Sequence, residues 1–135
     1  MAAEVLARGR AALEQARSTW ARAGLSSYRY AYDPVASGNA VGFQVDQHRV
    51  VTVRNGVVTE VLAAPSYQGT GVLDWRVEGL LRVVESNLSH CVQAAVPQRC
   101  ETAVSYDARL GYPLRLLVSF DGGSAGWVLG DFQAL

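Results

Sequence analysis

The sequence contains no lysine, and arginine supplies every permanently basic side chain. Twelve arginines balance twelve carboxylates, so the formal net charge is zero at pH 7. Without a net charge, no long-range field attracts the chain to nucleic acid or to anionic lipid. We therefore expect no nucleic-acid partner. The exclusive use of arginine is interpreted as the codon bias of a GC-rich genome, and not as a phosphate-binding cluster.

Long apolar runs are also absent. No stretch reaches the roughly 18 apolar residues that a membrane-spanning helix needs, so we expect no membrane-spanning segment. Charges at Glu4, Arg8, Arg10 and Glu14 interrupt the N-terminus, which therefore does not resemble a signal peptide.

Cysteine is scarce, and the spacing of the two cysteines favours a disulfide. Cys91 and Cys100 flank Pro97 and allow a single bridge, which would contribute roughly 2 to 3 kcal/mol for a loop this short. Disulfides are typical of oxidising compartments. We therefore expect a periplasmic or extracellular protein, with a leader or lipid anchor that this sequence does not include.

Residues that could carry chemistry are few. The soft or borderline metal ligands are His48, His90 and the two cysteines, and they lack zinc-site spacing. No nucleophile motif occurs, and the stretch Gly122–Gly126 is interpreted as a hairpin turn. We therefore assign no catalytic residue, no metal site and no cofactor, and expect the chain not to be an enzyme.

Length and composition indicate a single globular domain. The chain has 135 residues, of which 50% are apolar and 18% charged, enough for one core and too few for two. Helical periodicity predicts one helix over residues 3 to 23, stopped by Gly24, and a second along Val77 to Leu88. Asp74 is the expected N-cap of the second helix, and Glu78 and Arg82 the expected ion pair on its exposed side.

The stretch from residue 50 to 62 predicts a β-hairpin, because two β-branched runs are joined by Asn55-Gly56. A two-residue turn would put apolar and polar side chains together on the same face of the hairpin, whereas a bulge at Gly56 would keep them on opposite faces. We therefore favour the bulge, which places four valines on one face. These valines are Val51, Val53, Val57 and Val61.

The remaining strands follow from alternation and turn residues. Tyr28 to Pro34 is predicted as a strand that the proline ends, followed by a loop over 35 to 41. Residues 42 to 54 are one bent strand or two short ones, and Pro65 to Gly71 is a loop. Three further strands are expected after the second helix. They span Thr102 to Tyr106, Leu114 to Phe120 and Trp127 to Phe132.

The predicted fold is α+β, in the order α-β-β-β-α-β-β-β. An antiparallel sheet of about six strands carries both helices on one face, because no βαβ alternation occurs. The single domain covers 1 to 135. Its two halves, 1 to 64 and 72 to 135, share this order and suggest an internal duplication.

Aromatic residues are the best candidates for binding. Tyr28, Tyr30 and Tyr32 project from one face of a strand, where they either pack under the helices or bind a partner. The candidate binding residues are Tyr28, Tyr30, Tyr32, Trp75, Tyr112 and Trp127.

Several short patches, in order and spacing, resemble a family of small bacterial secreted proteins and lipoproteins classified as a domain of unknown function. The similarity covers residues 18 to 120. It rests on Trp20, Tyr28-x-Tyr30, Val51-x-Val53-x-Asn55-Gly56-x-Val58, Val77-Glu78-Gly79-Leu80, Val104-x-Tyr106-Asp107 and Gly111-Tyr112-Pro113. The resemblance implies an exported protein of αβββ type without an established activity. The architecture is also similar to the tandem αβββ layout of β-lactamase-inhibitor proteins.

We expect non-catalytic binding of another protein, of inhibitor, immunity or envelope-assembly type, through an open sheet face or the turns. The alternative is a small-ligand carrier with an apolar pocket lined by tyrosine and tryptophan. A hydrolase ranks third. A binding face would expose a contiguous apolar patch, and a carrier would contain a cavity. The sequence does not specify an oligomeric state.

Overall fold

The computed structural model describes residues 2–38, 48–63, 74–93 and 100–135. Two helices and six strands follow one another in the order α-β-β-β-α-β-β-β, which confirms the predicted α+β class. The elements are α1 (Ala2–Ala23), β1 (Tyr28–Gly38), β2 (Arg49–Arg54), β3 (Val57–Ala63), α2 (Val77–Gln93), β4 (Glu101–Tyr106), β5 (Pro113–Phe120) and β6 (Gly123–Ala134). The predictions for residues 42 to 47, for Pro65 to Gly71 and for Pro97 lie outside the described ranges.

The six strands form one antiparallel sheet in the order β3-β2-β1-β6-β5-β4. β1 and β6 lie side by side in the centre and join the strands of the first half to those of the second. β3 and β4 are the two edges. The proposed duplication of the halves stays a prediction.

The β2–β3 hairpin has a tight two-residue turn. Asn55 and Gly56 both have positive φ, 52° and 76°, and Val53 pairs with Val58. Both values suit the type I′ geometry, in which the turn follows the twist of the strands. The predicted bulge at Gly56 is therefore wrong.

A bulge does occur in this hairpin, at the third residue of β3. The register shifts by one residue between Thr52 and Val53, which leaves Thr59 as the extra residue. The shift puts Val61 on the same face as Val51, as expected. Val57, however, lies on the opposite face and is 61% exposed.

β1 does not end at Pro34. Its pairing with β2 stops at Tyr32, but its pairing with β6 continues through Pro34 to Gly38. Beyond Tyr32 one side of β1 is a free edge in the described part of the chain. A proline, which lacks an N–H group, is accommodated at such an edge.

Both helices cover the same face of the sheet, as predicted. The Trp20 ring of α1 lies 5.1 Å from the Tyr28 ring, and the Val77 N–H of α2 donates to the Tyr28 hydroxyl. The core between the two layers is apolar. It includes Leu13, Trp20, Val51, Val53, Val77, Leu80, Leu81, Val84, Leu116 and Leu129. Neither helix of the described ranges is long and apolar enough to cross a membrane.

The turn between β4 and β5 approaches α1 closely. A Cβ at Gly111 would lie 2.4 Å from the Ala16 carbonyl oxygen, and Gly111 has a φ of 87°. Only glycine meets both demands, the lack of space and the left-handed backbone. The adjacent Tyr112 and Pro113 are buried as a result.

Candidate functional site

The predicted tyrosine stripe faces the helices. Tyr28, Tyr30 and Tyr32 are at most 2% exposed. Two of their hydroxyls form hydrogen bonds with the backbone at the start of α2. The Tyr28 hydroxyl accepts from the Val77 N–H at 2.8 Å, and the Tyr30 hydroxyl donates to the Trp75 carbonyl. Burial raises the pKa of Tyr28 to about 12 and also raises the pKa of Tyr30.

One aromatic cluster lies at the end of the core near the C-terminus of α1. The Phe132 ring stacks on Tyr112 at 4.0 Å and on Tyr28 at 5.4 Å, with Trp20 edge-on at 6.1 Å. An extra residue in β6, Asp131 with a φ of 50°, shifts the register and turns Phe132 towards the helices. Sequence alternation could not reveal this position, because the bulge breaks the alternation.

A second aromatic cluster lies further along β1. Tyr32 contacts Trp75 at 4.9 Å and Trp127 at 5.9 Å, and the Arg49 guanidinium lies 5.1 Å above the Trp75 ring. Arg49 is only 6% exposed.

The six candidate binding residues are thus all buried. Five of them belong to the two clusters, and the sixth, Tyr30, stacks on Tyr28 at 6.4 Å. The exposures of the remaining three are 8% for Trp75, 9% for Tyr112 and 4% for Trp127. In this conformation they build the core and offer no exposed aromatic patch. Their assignment as binding residues stays a prediction.

A groove separates the C-terminal half of α1 from the N-terminal half of α2 on the outer surface of the helix layer. Its volume is about 640 Å³, a size that suits a small ligand. Its lining combines apolar and charged side chains. The lining residues are Arg17, Trp20, Ala21, Gly24, Leu25, Glu78, Leu81, Arg82 and Glu85.

The carboxylates of this groove are bound to donors. Arg17 contacts Glu85 at 3.2 Å, and the Trp20 indole donates to Glu78 at 3.2 Å. The hydrogen bond from Arg17 lowers the pKa of Glu85. Glu85 is therefore held ionised, whereas a general acid needs a raised pKa.

Next to the groove, Asp74 joins two arginines. Its carboxylate accepts from Arg76 at 2.7 Å and from Arg82, so that Arg82 does not form the predicted pair with Glu78. The same carboxylate accepts the backbone N–H of Arg76 at 3.0 Å. These hydrogen bonds lower the pKa of Asp74 to about 2. The helix begins at Val77 and its first backbone hydrogen bond is accepted by Arg76, so Arg76 is the N-cap and the prediction of Asp74 for that position is wrong.

The face of the sheet away from the helices, here called the open face, has no element packed on it within the described ranges. Cross-strand pairing arranges its side chains in rows that alternate between apolar and polar. The apolar rows are Leu62, Val50 and Ala31, and Val35, Gly126, Leu117 and Ala103. The polar rows are Glu60, Thr52, Arg29 and Gln133, and Ser37, Ser124, Ser119 and Glu101. Between them lies a mixed row of His48, Asp33, Val128, Arg115 and Ser105.

The predicted disulfide is confirmed. Cys91 and Cys100 are bonded at 2.03 Å and join the end of α2 to the start of β4. The Thr102 hydroxyl donates to the Cys91 sulfur at 3.2 Å. The described ranges hold no cluster of three or more His, Cys, Asp or Glu side chains that could bind a metal ion.

Comparison with protein families gives a match, whereas comparison with individual proteins does not. No curated protein and no solved structure matches the chain. A family model described as a family of unknown function, DUF6174, matches residues 12–125. That range includes α1 from Ala12 onwards, the whole of α2 and most of the sheet. The chain therefore belongs to the DUF6174 family.

Proposed function

We propose that this protein is a non-catalytic binding module, of inhibitor, immunity or envelope-assembly type, whose protein partner lies on the open face. The observation that carries the proposal is the pair of apolar rows on that face. No helix or strand of the described ranges packs on them, and Leu62 at the end of one row is 54% exposed, although Ala31 in the same row is only 8% exposed.

The pattern of the open face suits a protein interface. Leu62 is 54% exposed and Val57 61% exposed, and both lie beside the one polar row that contains Glu60 and Arg29. Protein interfaces combine apolar area with polar groups that orient the partner, and arginine is enriched in them. A partner strand or helix could bury the apolar rows while the polar rows provide hydrogen bonds.

The test replaces one residue in each apolar row with a charged residue. Leu62→Asp combined with Leu117→Asp should abolish recovery of a partner from extracts of the source cells, because a buried interface excludes an unpaired charge. Val5→Asp on α1 is the matched control, since Val5 is 53% exposed and lies far from the open face. Quantitative mass spectrometry of material recovered with each variant measures the difference.

A species recovered equally with the wild type, the double variant and the Val5 control would contradict the proposal. Circular dichroism of each variant establishes that the fold is kept. Both replaced leucines lie outside the core, so we expect unchanged spectra.

The same proposal places the protein in an oxidising compartment, as a secreted or lipid-anchored form. The Cys91–Cys100 disulfide supports this placement. Alkylation in intact cells, followed by intact-mass analysis with and without reductant, tests it. Protection of both cysteines until reduction is expected. Free labelling of both in the native protein would contradict an exported location.

The interhelical groove supports a second candidate, a carrier of a small amphipathic ligand. Trp20, Leu25 and Leu81 supply an apolar floor, and charged residues line the rim. The fluorescent probe 8-anilinonaphthalene-1-sulfonate should bind there. Ala21→Phe should reduce the bound fluorescence by filling the groove, whereas Ala12→Phe, on an exposed α1 position outside the groove, should not. Equal fluorescence from both variants would exclude the groove.

A further inference from the structure

The two edges of the sheet differ in how they are protected. β3 has the Thr59 bulge, which interrupts the regular edge and hinders strand addition. β4 is regular from Glu101 to Ser105 and has no arginine or proline. No described residue pairs with its outer side. β4 is therefore the edge at which another strand can add.

β4 is also held rigidly at both ends. The disulfide links the start of β4 to the end of α2, and the Thr102 hydroxyl donates a hydrogen bond to the Cys91 sulfur. At the other end the Asp107 carboxylate accepts the backbone N–H groups of Arg109 at 3.1 Å and Leu110 at 2.7 Å. A strand fixed in advance loses little conformational entropy when it binds.

Two charges near this edge have no ion-pair partner among the described residues. Glu101 lies at the start of β4, and Arg115 lies on β5 directly opposite Ser105. The side chains of Glu101, Ser105 and Arg115 are exposed and lie on the open face. Ala103, midway between Glu101 and Ser105, is also exposed, and its small side chain leaves room for a neighbouring strand.

We propose that β4 pairs with β4 of a second copy of this chain, antiparallel, about a twofold axis through Ala103. Each Glu101 then lies opposite Ser105 of the other copy, one strand from its Arg115. Neighbouring strands are about 4.8 Å apart, so a glutamate and an arginine reach each other across one small residue. The symmetry creates this ion pair twice and joins two sheets into one of twelve strands.

Charge selects this register from its neighbours. Residues directly opposite each other in an antiparallel pair have their side chains on the same face of the sheet. The open faces of both copies therefore lie on one side only when the twofold axis passes through a residue, which then lies opposite the same residue of the other copy. An axis through Val104 would put Glu101 opposite Asp107, which brings two like charges together. An axis through Thr102 would put Glu101 opposite Ala103, away from Arg115. The axis through Ala103 alone pairs both free charges.

Sedimentation equilibrium over a range of micromolar concentrations tests the pairing. The wild type should dimerise, and Glu101→Arg and Arg115→Glu should each weaken the dimer about tenfold, because both interface pairs become repulsive. The double variant, E101R with R115E, restores opposite charges and should return to within about threefold of the wild type. Glu60→Arg on the bulged edge is the control and should leave dimerisation unchanged.

A wild type that stays monomeric throughout would overturn the proposal. A dimer whose strength none of the three edge variants changes would also overturn it, since its interface would lie elsewhere. Failure of the double variant to recover would show that charge does not set the register. All substituted positions are exposed, and circular dichroism establishes that each variant is folded. The open-face experiment is separate, because Leu62 and Leu117 do not lie on β4.

Discussion

The two faces of one sheet are built from alternate residues of the same strands, yet they differ in almost every physical property. In β1, Tyr28, Tyr30 and Tyr32 are buried under the helices. Arg29 and Asp33, between and after them, are half-buried and exposed. The helix-covered face holds large rings in fixed contact, whereas the open face holds small or long side chains in rows. Alternation of side chains along a strand therefore places the packed core on one face and leaves the other face without a covering helix or strand in the described ranges.

The difference also shows how α2 is positioned. Tyrosine hydroxyls from the sheet bond to the backbone at its start, and the disulfide holds its end. Polar atoms on the buried face are thus used to fix one helix. On the open face, polar side chains bond to one another, as Arg29 does to Thr52 and Ser37 to Ser124, and Arg115 has no ion-pair partner among the described residues.

The largest effect should come from removing a core ring. Trp127→Ala should lower the free energy of unfolding by about 3 to 5 kcal/mol, because the side chain is 4% exposed and packs on Tyr32. Leu62→Ala on the open face should cost no more than about 0.5 kcal/mol. Urea denaturation of both variants measures the contrast. Equal losses would mean that the open face is covered.

Removing the disulfide should have the next largest effect. The double variant Cys91→Ser, Cys100→Ser should lose roughly 2 to 3 kcal/mol, because the nine-residue separation no longer restricts the unfolded chain. Reduced wild-type protein is the control and should lose a similar amount. No change in either sample would show that the bridge does not stabilise the helix layer.

A smaller loss should follow from removing one hydroxyl beneath α2. Tyr30→Phe leaves the Trp75 carbonyl without its donor, at a cost of about 1 to 2 kcal/mol. Thermal denaturation monitors the change. Tyr106→Phe is a suitable comparison, since the Tyr106 hydroxyl forms no hydrogen bond to α2 within the described ranges. If the two variants lose the same stability, the hydroxyl of Tyr30 does not hold the helix.

The smallest effect, and the one that depends on pH, concerns Asp74. Its pKa falls to about 2 from 3.8, so its stabilising contribution is complete above about pH 4 and is lost as the pH falls through 2. Asp74→Asn should cost less than about 1 kcal/mol at pH 7, because solvent screens the partly exposed pairs. Near pH 2 the variant and the wild type should be equally stable in urea.

Glu4→Gln is the control for this measurement. Glu4 is exposed and has no ion pair in the described ranges, so its loss should change stability by no more than about 0.5 kcal/mol at either pH. A difference between D74N and wild type that persists unchanged at pH 2 would show that charge is not the cause.

Periodicity was sufficient to predict the elements of the fold, because the helices bury regular faces such as Leu13, Ala16 and Trp20. It failed where one extra residue changes the register. The Thr59 and Asp131 bulges depend on pairing with a neighbouring strand, which local pattern does not contain. The continuation of β1 through Pro34 depends in the same way on β6.

The candidate sites were harder to predict than the fold. Tyrosine on a strand suits a core and an interface equally well, and only the positions of the two helices decide that Tyr28 and Tyr30 are buried. The open-face rows and the groove combine residues distant in sequence, such as Val35 with Leu117, or Trp20 with Leu81. Their assembly requires the strand order, which the sequence alone left open.

The central position of β6 has a consequence for folding. β6 follows the other five strands in the chain but inserts between β1 and β5, so the sheet stays in two separate pieces until β6 is available. Contacts between strands so distant in sequence slow folding. The chain should therefore remain incompletely folded for most of its synthesis, because the two pieces of its sheet join only after the last strand has been made.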